Sequence, residues 1–264
     1  MEQQDHLRST KVATAEKFHI RFPHAAEDQY DQDEEWCEVR LDGERRRIRF
    51  HDYHELYAIP GLYEQIFYDE LKCDSPRTVC GLLAEHLEAS DRDPEDLRVL
   101  DVGAGNGIVG EELKSLGAGM IVGADIIAEA AEAAERDRPG VYDDYKVVDL
   151  TAMPDEDLRD LAERNFNCLT TVAALGFGDV PPDAFAEAYN LVEEGGHIAF
   201  NIKDDFVNGN DDTGFSALIR CAVKEGALEL EADRHYRHRL SVAGEPLNYI
   251  AMVGEKRRDL VVSG

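Results

Sequence analysis

The sequence predicts an α/β fold: a doubly wound, mostly parallel sheet with helices packed on both faces. Three observations predict it. From Ser75 onward, short apolar runs alternate with stretches of helical periodicity, the pattern of parallel strands joined by crossover helices. The run Arg98-Val-Leu-Asp-Val102 carries Asp101 near its end and opens into glycines at 103, 105 and 107, where a helix begins. The next run, Met120-Ile-Val-Gly-Ala-Asp125, also ends in an acid. Glycine serves where backbone turns with φ > 0 and must lie against a ligand without a Cβ in the way. The new helix turns unpaired N–H groups and the positive end of its dipole toward the loop. A carboxylate at the tip of the second strand can accept both hydroxyls of a ribose. These features together predict a nucleoside-containing cofactor at the carboxyl ends of the strands.

Taken in order, residues 1–35 are polar and carry the acidic run Ala26–Glu35, which reads as an arm that is flexible or loosely packed at least in part. Trp36–Leu41 and Glu44–Phe50 flank Asp42-Gly43, a β-hairpin signal. Cys37, Val39 and Leu41 share one face of it, as do Ile48 and Phe50. Arg45, Arg46, Arg47 and Arg49 form the dense basic patch; it reads as a solvated strand neutralised by acids, or as a site for an anionic substrate group. Residues 51–73 are rich in tyrosine and are broken into two short pieces by Pro60-Gly61. A helix follows over 75–89, with Ser75 as N-cap and Pro76 in the first turn. Strands are expected at 97–102, 119–124, 145–149, 167–175 and 197–202, with helices at 107–117, 127–137, 154–164 and up to Val192. A helix at 215–225 and two alternating runs, 227–241 and 247–255, close the chain. This divides it into an N-terminal extension, 1–74, and a cofactor-binding domain, 75–264.

The identity of the cofactor turns on the loop. Gly105-Asn-Gly107-Ile-Val-Gly110 fits the dinucleotide pattern G-x-G-x-x-G, but there the first glycine follows the strand directly, whereas Asp101 and Gly103 intervene here. Val99–Gly107 instead resembles motif I of the class I S-adenosylmethionine-dependent methyltransferases. Asp125 stands where that family keeps its ribose-binding acid, and Val147-Val-Asp149-Leu-Thr151 resembles the turn that reads adenine. Leu191-Val-Glu-Glu-Gly-Gly196-His-Ile-Ala-Phe200 resembles the family's Gly-Gly turn before the fifth strand. The resemblance spans roughly residues 75–257. It implies a Rossmann-like, seven-stranded sheet ending in an antiparallel hairpin, with S-adenosyl-L-methionine as cofactor and S-adenosylhomocysteine as product. Asp101, Gly103, Ala104, Gly105 and Gly107 would hold the methionine end, Asp125 and Ile126 the ribose side, and Asp149 and Leu150 the adenine. Thr171 and Tyr63 would complete the cofactor contacts, and the tyrosine-rich segment resembles a lid. Val172–Pro181, with the Gly140-Val-Tyr142 turn, resembles the Williams–Beuren-region methyltransferase-like branch. The rival readings are an NAD-dependent oxidoreductase and a catalytically idle methyltransferase-like binding protein.

Methyl transfer from a sulfonium is an in-line displacement with a good leaving group, so a base is needed only for a protonated acceptor. The catalytic residues therefore stay unassigned; His51 and His54, which titrate near neutrality, and Tyr57 are the candidates. Each histidine also reads simply as a polar surface residue. The acceptor should lie near Thr171–Phe177, Asn201–Asp205 and the tyrosines. Ala174-Leu-Gly-Phe177 stands where amino-methylating enzymes of nucleic acids and glutamine carry Asn/Asp-Pro-Pro-Tyr/Phe. Tyr142-Asp-Asp-Tyr-Lys146 matches the Y-x-x-x-K pair of short-chain dehydrogenases, but at the third strand, where coincidence accounts for it. No metal is expected: His51-x-x-His54 and His235-x-x-His238 lack convincing further ligands.

The formal charge of −28, from 56 acids against 28 bases, repels phosphate backbones and anionic membranes. A small-molecule acceptor is therefore expected, with no nucleic acid and no membrane partner; the oligomeric state is open. No apolar run approaches the ~20 residues of a membrane span. The polar start Met1-Glu-Gln-Gln-Asp-His and five scattered cysteines suggest a reducing, cytoplasmic setting. Abundant acids with 8 lysines against 20 arginines point to a salt-tolerant protein. Its melting temperature should rise between low and molar salt; equal stability at both ends would refute this reading.

Overall fold

The computed structural model describes residues 17–23, 31–175, 179–204 and 214–261. Three N-terminal strands, β1 (Ile20–Arg21), β2 (Trp36–Leu41) and β3 (Glu44–Arg49), form an antiparallel sheet in that order. Seven further strands follow: β4 (Arg98–Val102), β5 (Met120–Asp125), β6 (Asp144–Val147), β7 (Phe166–Thr171), β8 (Val192–Lys203), β9 (Leu228–Leu240) and β10 (Pro246–Lys256). They make one sheet in the order β6-β5-β4-β7-β8-β10-β9, parallel except where β10 pairs antiparallel with β8 and β9. This is the expected doubly wound sheet with an antiparallel C-terminal hairpin. The chain runs outward from β4 to β6, then returns to β7, so the strand order reverses between β4 and β7. Such a switch point opens a crevice at the carboxyl ends of the strands.

Alternation along the central strands sets the two layers. Leu100, Val102, Leu169, Ile198 and Phe200 face one side, where α6 (Asp155–Glu163), α7 (Pro182–Asn190) and α8 (Phe215–Lys224) supply Leu161, Phe185 and Phe215. Val99, Cys168 and Ala199 face the other, covered by α3 (Ser75–Ala89) and α4 (Ile108–Leu116) through Leu83 and Leu113. Because both faces are covered, β4 is buried from Val99 to Val102, Asp101 included. The last crossover helix of this half, α5 (Ala128–Asp137), packs its alanines 130 and 133 against the tyrosine segment.

The hairpin forms as expected: Asp42 and Gly43 both have positive φ, the requirement of the tight turn that matches strand twist. Cys37, Val39, Ile48 and Phe50 are buried in a separate cluster with Leu56, Leu62 and Ile66. Arg46 pairs with Glu55 at 2.8 Å and Arg47 lies over the Trp36 ring at 3.6 Å, so neighbours use much of the basic patch. The tyrosine segment folds as two short pieces, α1 (Tyr53–Ala58) and α2 (Leu62–Glu64), the latter running into a π-helical turn at Gln65–Glu70. Gly61, at φ +78°, makes the break.

Part of the arm is packed: Ile20 pairs with Val39, and the Gln65 amide exchanges two hydrogen bonds with the Phe18 backbone. Its residues 1–16 and 24–30 lie outside the described ones. Three expectations need correction. Strand four ends at Thr171 rather than 175, because Ala173 turns to φ +57°. Strand five begins at Val192 rather than 197 and carries the Gly-Gly pair inside it. Asp74, not Ser75, occupies the cap position of α3, and the Ser75 hydroxyl turns inward to His238 Nδ1 and the Tyr236 hydroxyl, each at 2.6 Å.

The N-terminal sheet is tied to the large one by a buried ion pair. Glu35 (1% exposed side chain) meets Arg239 (4%) at 2.5 Å and also accepts the Val242 N–H at 2.7 Å. Removing one partner leaves an uncompensated buried charge. Arg239→Ala should therefore lower unfolding free energy by about 3–5 kcal/mol in urea titrations; a loss below about 1 kcal/mol, the level of an exposed pair, would contradict this account.

Candidate active site

The loop after β4 is held against the strand ends by side chains from three directions. Gly103, Gly105 and Gly107 all have positive φ, at +70°, +53° and +88°. A Cβ on Gly103 would stand 2.7 Å from the Cβ of Ala174, and one on Gly105 would stand 2.5 Å from the Tyr57 hydroxyl. Glycine is thus required here by both conformation and space. Asp101 lies behind the loop, 1% exposed, accepting hydrogen bonds from the hydroxyls of Thr170 and Tyr142 at 2.7 Å each. Tyr142 also reaches the Ala104 carbonyl at 3.3 Å, and Tyr145 donates to the Gly105 carbonyl at 2.9 Å. Asp125, at the end of β5, accepts the N–H of Gly105 and of Ile127, both at 3.0 Å.

Beside the loop opens a cavity of about 490 Å³. Gly103, Asp125, Ile126, Asp149 and Leu150 line it. Ile126 is 61% exposed, an apolar surface offered to a planar ligand. Asp149 caps the short turn Leu150–Ala152 through the N–H (2.9 Å) and hydroxyl (2.7 Å) of Thr151, which hold its carboxyl below the usual range and ionised. The rings of Tyr53, Tyr57 and Tyr63 also line it, with centroids 6.0 Å apart for the first pair and 4.8 Å for the second. Burial pushes all three phenols well up, so each keeps its proton. The segment is latched down: Arg136 donates to the Tyr57 carbonyl at 3.0 Å, and Arg138 and Asn106 bind Glu64 at 2.7 and 3.1 Å.

Several expected site residues come together here and others do not. Gly103, Asp125, Ile126, Asp149, Leu150, Tyr63, Tyr57 and His51 all line the cavity. Asp101, Ala104, Gly105 and Gly107 are not among its lining residues: Asp101 is buried in β4, and the other three belong to the loop, where the Tyr57 hydroxyl lies over Gly105. Thr171 does not reach it: its side chain is fully buried, and among the described residues its hydroxyl has no hydrogen-bond partner, so Val172–Ala174 form that wall instead. His54 is exposed and absent from the cavity wall, because α1 turns it away from the face that carries Tyr53 and Tyr57. Tyr57 lines the cavity with its phenol proton held by burial. Phe177 and Asp205 lie outside the described residues.

Asp179 is the residue that sequence reasoning missed. Its carboxylate takes His51 Nδ1 on one oxygen at 2.9 Å and the Tyr53 hydroxyl on the other at 3.2 Å, and all three line the cavity. One acid among 56 carries no signal of its own. Tyr142 and Tyr145 were likewise hidden; the glycine at 123, where a Cβ would stand 2.9 Å from the Tyr145 ring, is the trace they leave in the sequence.

Comparison with known proteins agrees with this geometry. A family model described as a methyltransferase domain matches residues 76–241, and the chain belongs to that family. No curated protein matches the sequence. The fold is that of N-methyltransferase NodS from Bradyrhizobium japonicum WM9, solved with S-adenosyl-L-homocysteine, at 14% identity over 78% of this chain and 97% of that one, TM-score 0.52. A proposed RNA methyltransferase from Pyrococcus horikoshii matches at 14% identity over 70% of this chain and 87% of that one, TM-score 0.50. Magnesium protoporphyrin IX methyltransferase from Synechocystis PCC 6803, with bound SAM, gives 16% identity, 69% and 79% coverage and a TM-score of 0.47. The fold is thus that of the class I methyltransferases.

Burial pushes the Asp101 carboxyl up to about 7 from 3.8; the Thr170 and Tyr142 hydrogen bonds oppose this, and the charge of Asp125 adds to it. Between those values the folded state binds the proton and the unfolded chain does not, so stability falls as pH rises from about 4 to about 7. Asp101→Asn should remove that slope, worth up to about 4 kcal/mol. Melting curves of variant and parent across pH 4.5–8 check it: a difference between them that does not change with pH would contradict the raised carboxyl.

Proposed function

We propose that the chain is an S-adenosyl-L-methionine-dependent methyltransferase whose acceptor is a small molecule. The observation that carries this is one cavity lined together by Gly103, Asp125 and Asp149 and by Tyr53, Tyr57, Tyr63 and His51. S-adenosyl-L-methionine is the cofactor and S-adenosylhomocysteine the product. The donor set fits: Gly103 borders the cavity with no side chain in the way, Asp125 offers a carboxylate at the β5 tip, and Ile126 with Leu150 supplies apolar surface for a base. When bound, the cofactor supplies an electrophilic methyl on a neutral leaving group. The chain's part is to orient, to enclose and to exclude water, which the latched tyrosine wall does.

A small acceptor is favoured on two grounds. The cavity has the size of sites that enclose one drug-sized ligand, most of which the cofactor itself would take. The charge of −28 also opposes approach of a polyanion. On this reading residues 1–74 are the lid-bearing extension of the methyltransferase domain 75–264. The oxidoreductase alternative loses its support, since the loop and the family match both follow the methyltransferase pattern.

Asp125→Ala should weaken binding of S-adenosylhomocysteine by about 1–3 kcal/mol, the loss of charge-assisted hydrogen bonds. Isothermal calorimetry measures it, with NADH as the contrasting ligand. Unchanged affinity would remove Asp125 from the site, and saturable NADH binding without S-adenosylhomocysteine binding would overturn the assignment.

A further inference from the structure

Beyond the main cavity lies a second, smaller chamber of about 40 Å³. Gln32, His238, Arg239 and Tyr249 line it, and His51, Tyr53, Tyr63, Ala173 and Asp179 line both spaces. The His51–Asp179 pair therefore borders both spaces. Its surroundings are rigid. Asp179 is held from two sides by His51 Nδ1 at 2.9 Å and the Tyr53 hydroxyl at 3.2 Å, and the His51 ring meets the Tyr53 ring edge-on at 5.7 Å. Ala173, beside them, sits at φ +57° with its N–H fixed by the Asn201 side chain at 2.7 Å. A non-glycine residue in that conformation costs free energy and persists where its surroundings impose it.

We infer that His51 and Asp179 accept the proton of the methyl acceptor, and that the acceptor nucleophile is consequently a protic group: a hydroxyl, a thiol or a protonated amine. This rests on the methyltransferase reading above. His51 Nδ1 stands 2.9 Å from an acid that can only accept, so the ring turns its other nitrogen, Nε2, away from Asp179, the arrangement of a carboxylate-oriented general base. In the step, a lone pair of the acceptor forms the new bond to the methyl carbon as the carbon–sulfur bond breaks, its electron pair staying on sulfur. The acceptor's proton passes to the imidazole, the Asp179 carboxylate balances the resulting charge, and the proton then leaves to solvent.

The other groups facing the pair do not compete for that proton. Burial holds Tyr53 and Tyr63 as phenols and Cys73 as a thiol. His238 is kept neutral by burial and by the charge of Arg239. Arg239 is itself matched by Glu35. Asp125 is occupied by the Gly105 and Ile127 N–H groups.

The test uses sinefungin, a cofactor analogue that places an amine where the transferable methyl stands, against S-adenosylhomocysteine, by calorimetry on the full chain. The parent should bind sinefungin about 10-fold more tightly or better, as one charge-assisted hydrogen bond would give. Asp179→Asn should abolish that preference while leaving S-adenosylhomocysteine affinity within about twofold, which separates loss of the contact from loss of the fold. Titrations at pH 6.5 in buffers of different ionisation enthalpy should show extra proton release with sinefungin, absent in His51→Gln. A preference that survives Asp179→Asn, or proton release that survives His51→Gln, overturns the inference. Failure of the parent to bind S-adenosylhomocysteine at all overturns the methyltransferase reading instead, a separate result.

Discussion

The site depends on two carboxylates buried side by side at the tips of adjacent parallel strands. Asp101 on β4 faces Gly123 on β5 in the register, and Asp125 follows two residues beyond. Burial raises both carboxyls, so placing them there costs stability, and hydrogen bonds offset part of that cost. Asp101 takes two hydroxyls and Asp125 two backbone N–H groups, one of them from Gly105. The glycine loop is thereby stitched to both strands before any ligand arrives. Tyr142 and Tyr145 complete the stitching through the carbonyls of Ala104 and Gly105, and Gly123 leaves room for the second ring. A loop so fixed is preorganised, and little ordering entropy remains to be lost on binding.

The same loop also organises the tyrosine wall. Tyr57 approaches Gly105 so closely that a Cβ there would meet its hydroxyl, while Glu64 on the neighbouring piece is bound by Asn106 of the loop and by Arg138 at the end of α5. Buried alanines on α5 let α1 lie flat against it. The wall, the helix after β5 and the loop after β4 therefore form one contact set, and a ligand whose tail rests on the loop is enclosed by the segment the loop itself holds. Enclosure and cofactor recognition share their residues.

The repetitive parts of the fold were the legible ones. Between Arg98 and Lys203 each expected strand and helix appears, because parallel strands buried on both faces read as apolar runs and their helices as 3.6-residue stripes. Errors fall where periodicity carries no information. The two-residue strand Ile20–Arg21 is too short to show a period. The run Val172-Ala-Ala-Leu175 stays apolar past the end of β7 because a cavity wall and a strand core favour the same residues, so composition could not reveal that the backbone turns at Ala173. His51 and His54 look alike in sequence, yet only the first borders the cavity: His51 precedes α1 and is held by an acid 128 residues away. No local pattern encodes such a partner.

That contrast explains why the loop side of the cavity was readable and the His51 side was not. The loop side is built from backbone: glycines at positive φ, strand-tip acids and a helix start, whose positions are set by the fold and so fall at fixed spacings. The other residues are side chains that arrive from distant parts of the chain: His51 and Tyr53 from the segment before the core, Asp179 from the loop after β7, and Gln32, Arg239 and Tyr249 around the smaller chamber. The fold constrains where those segments meet without dictating what they carry.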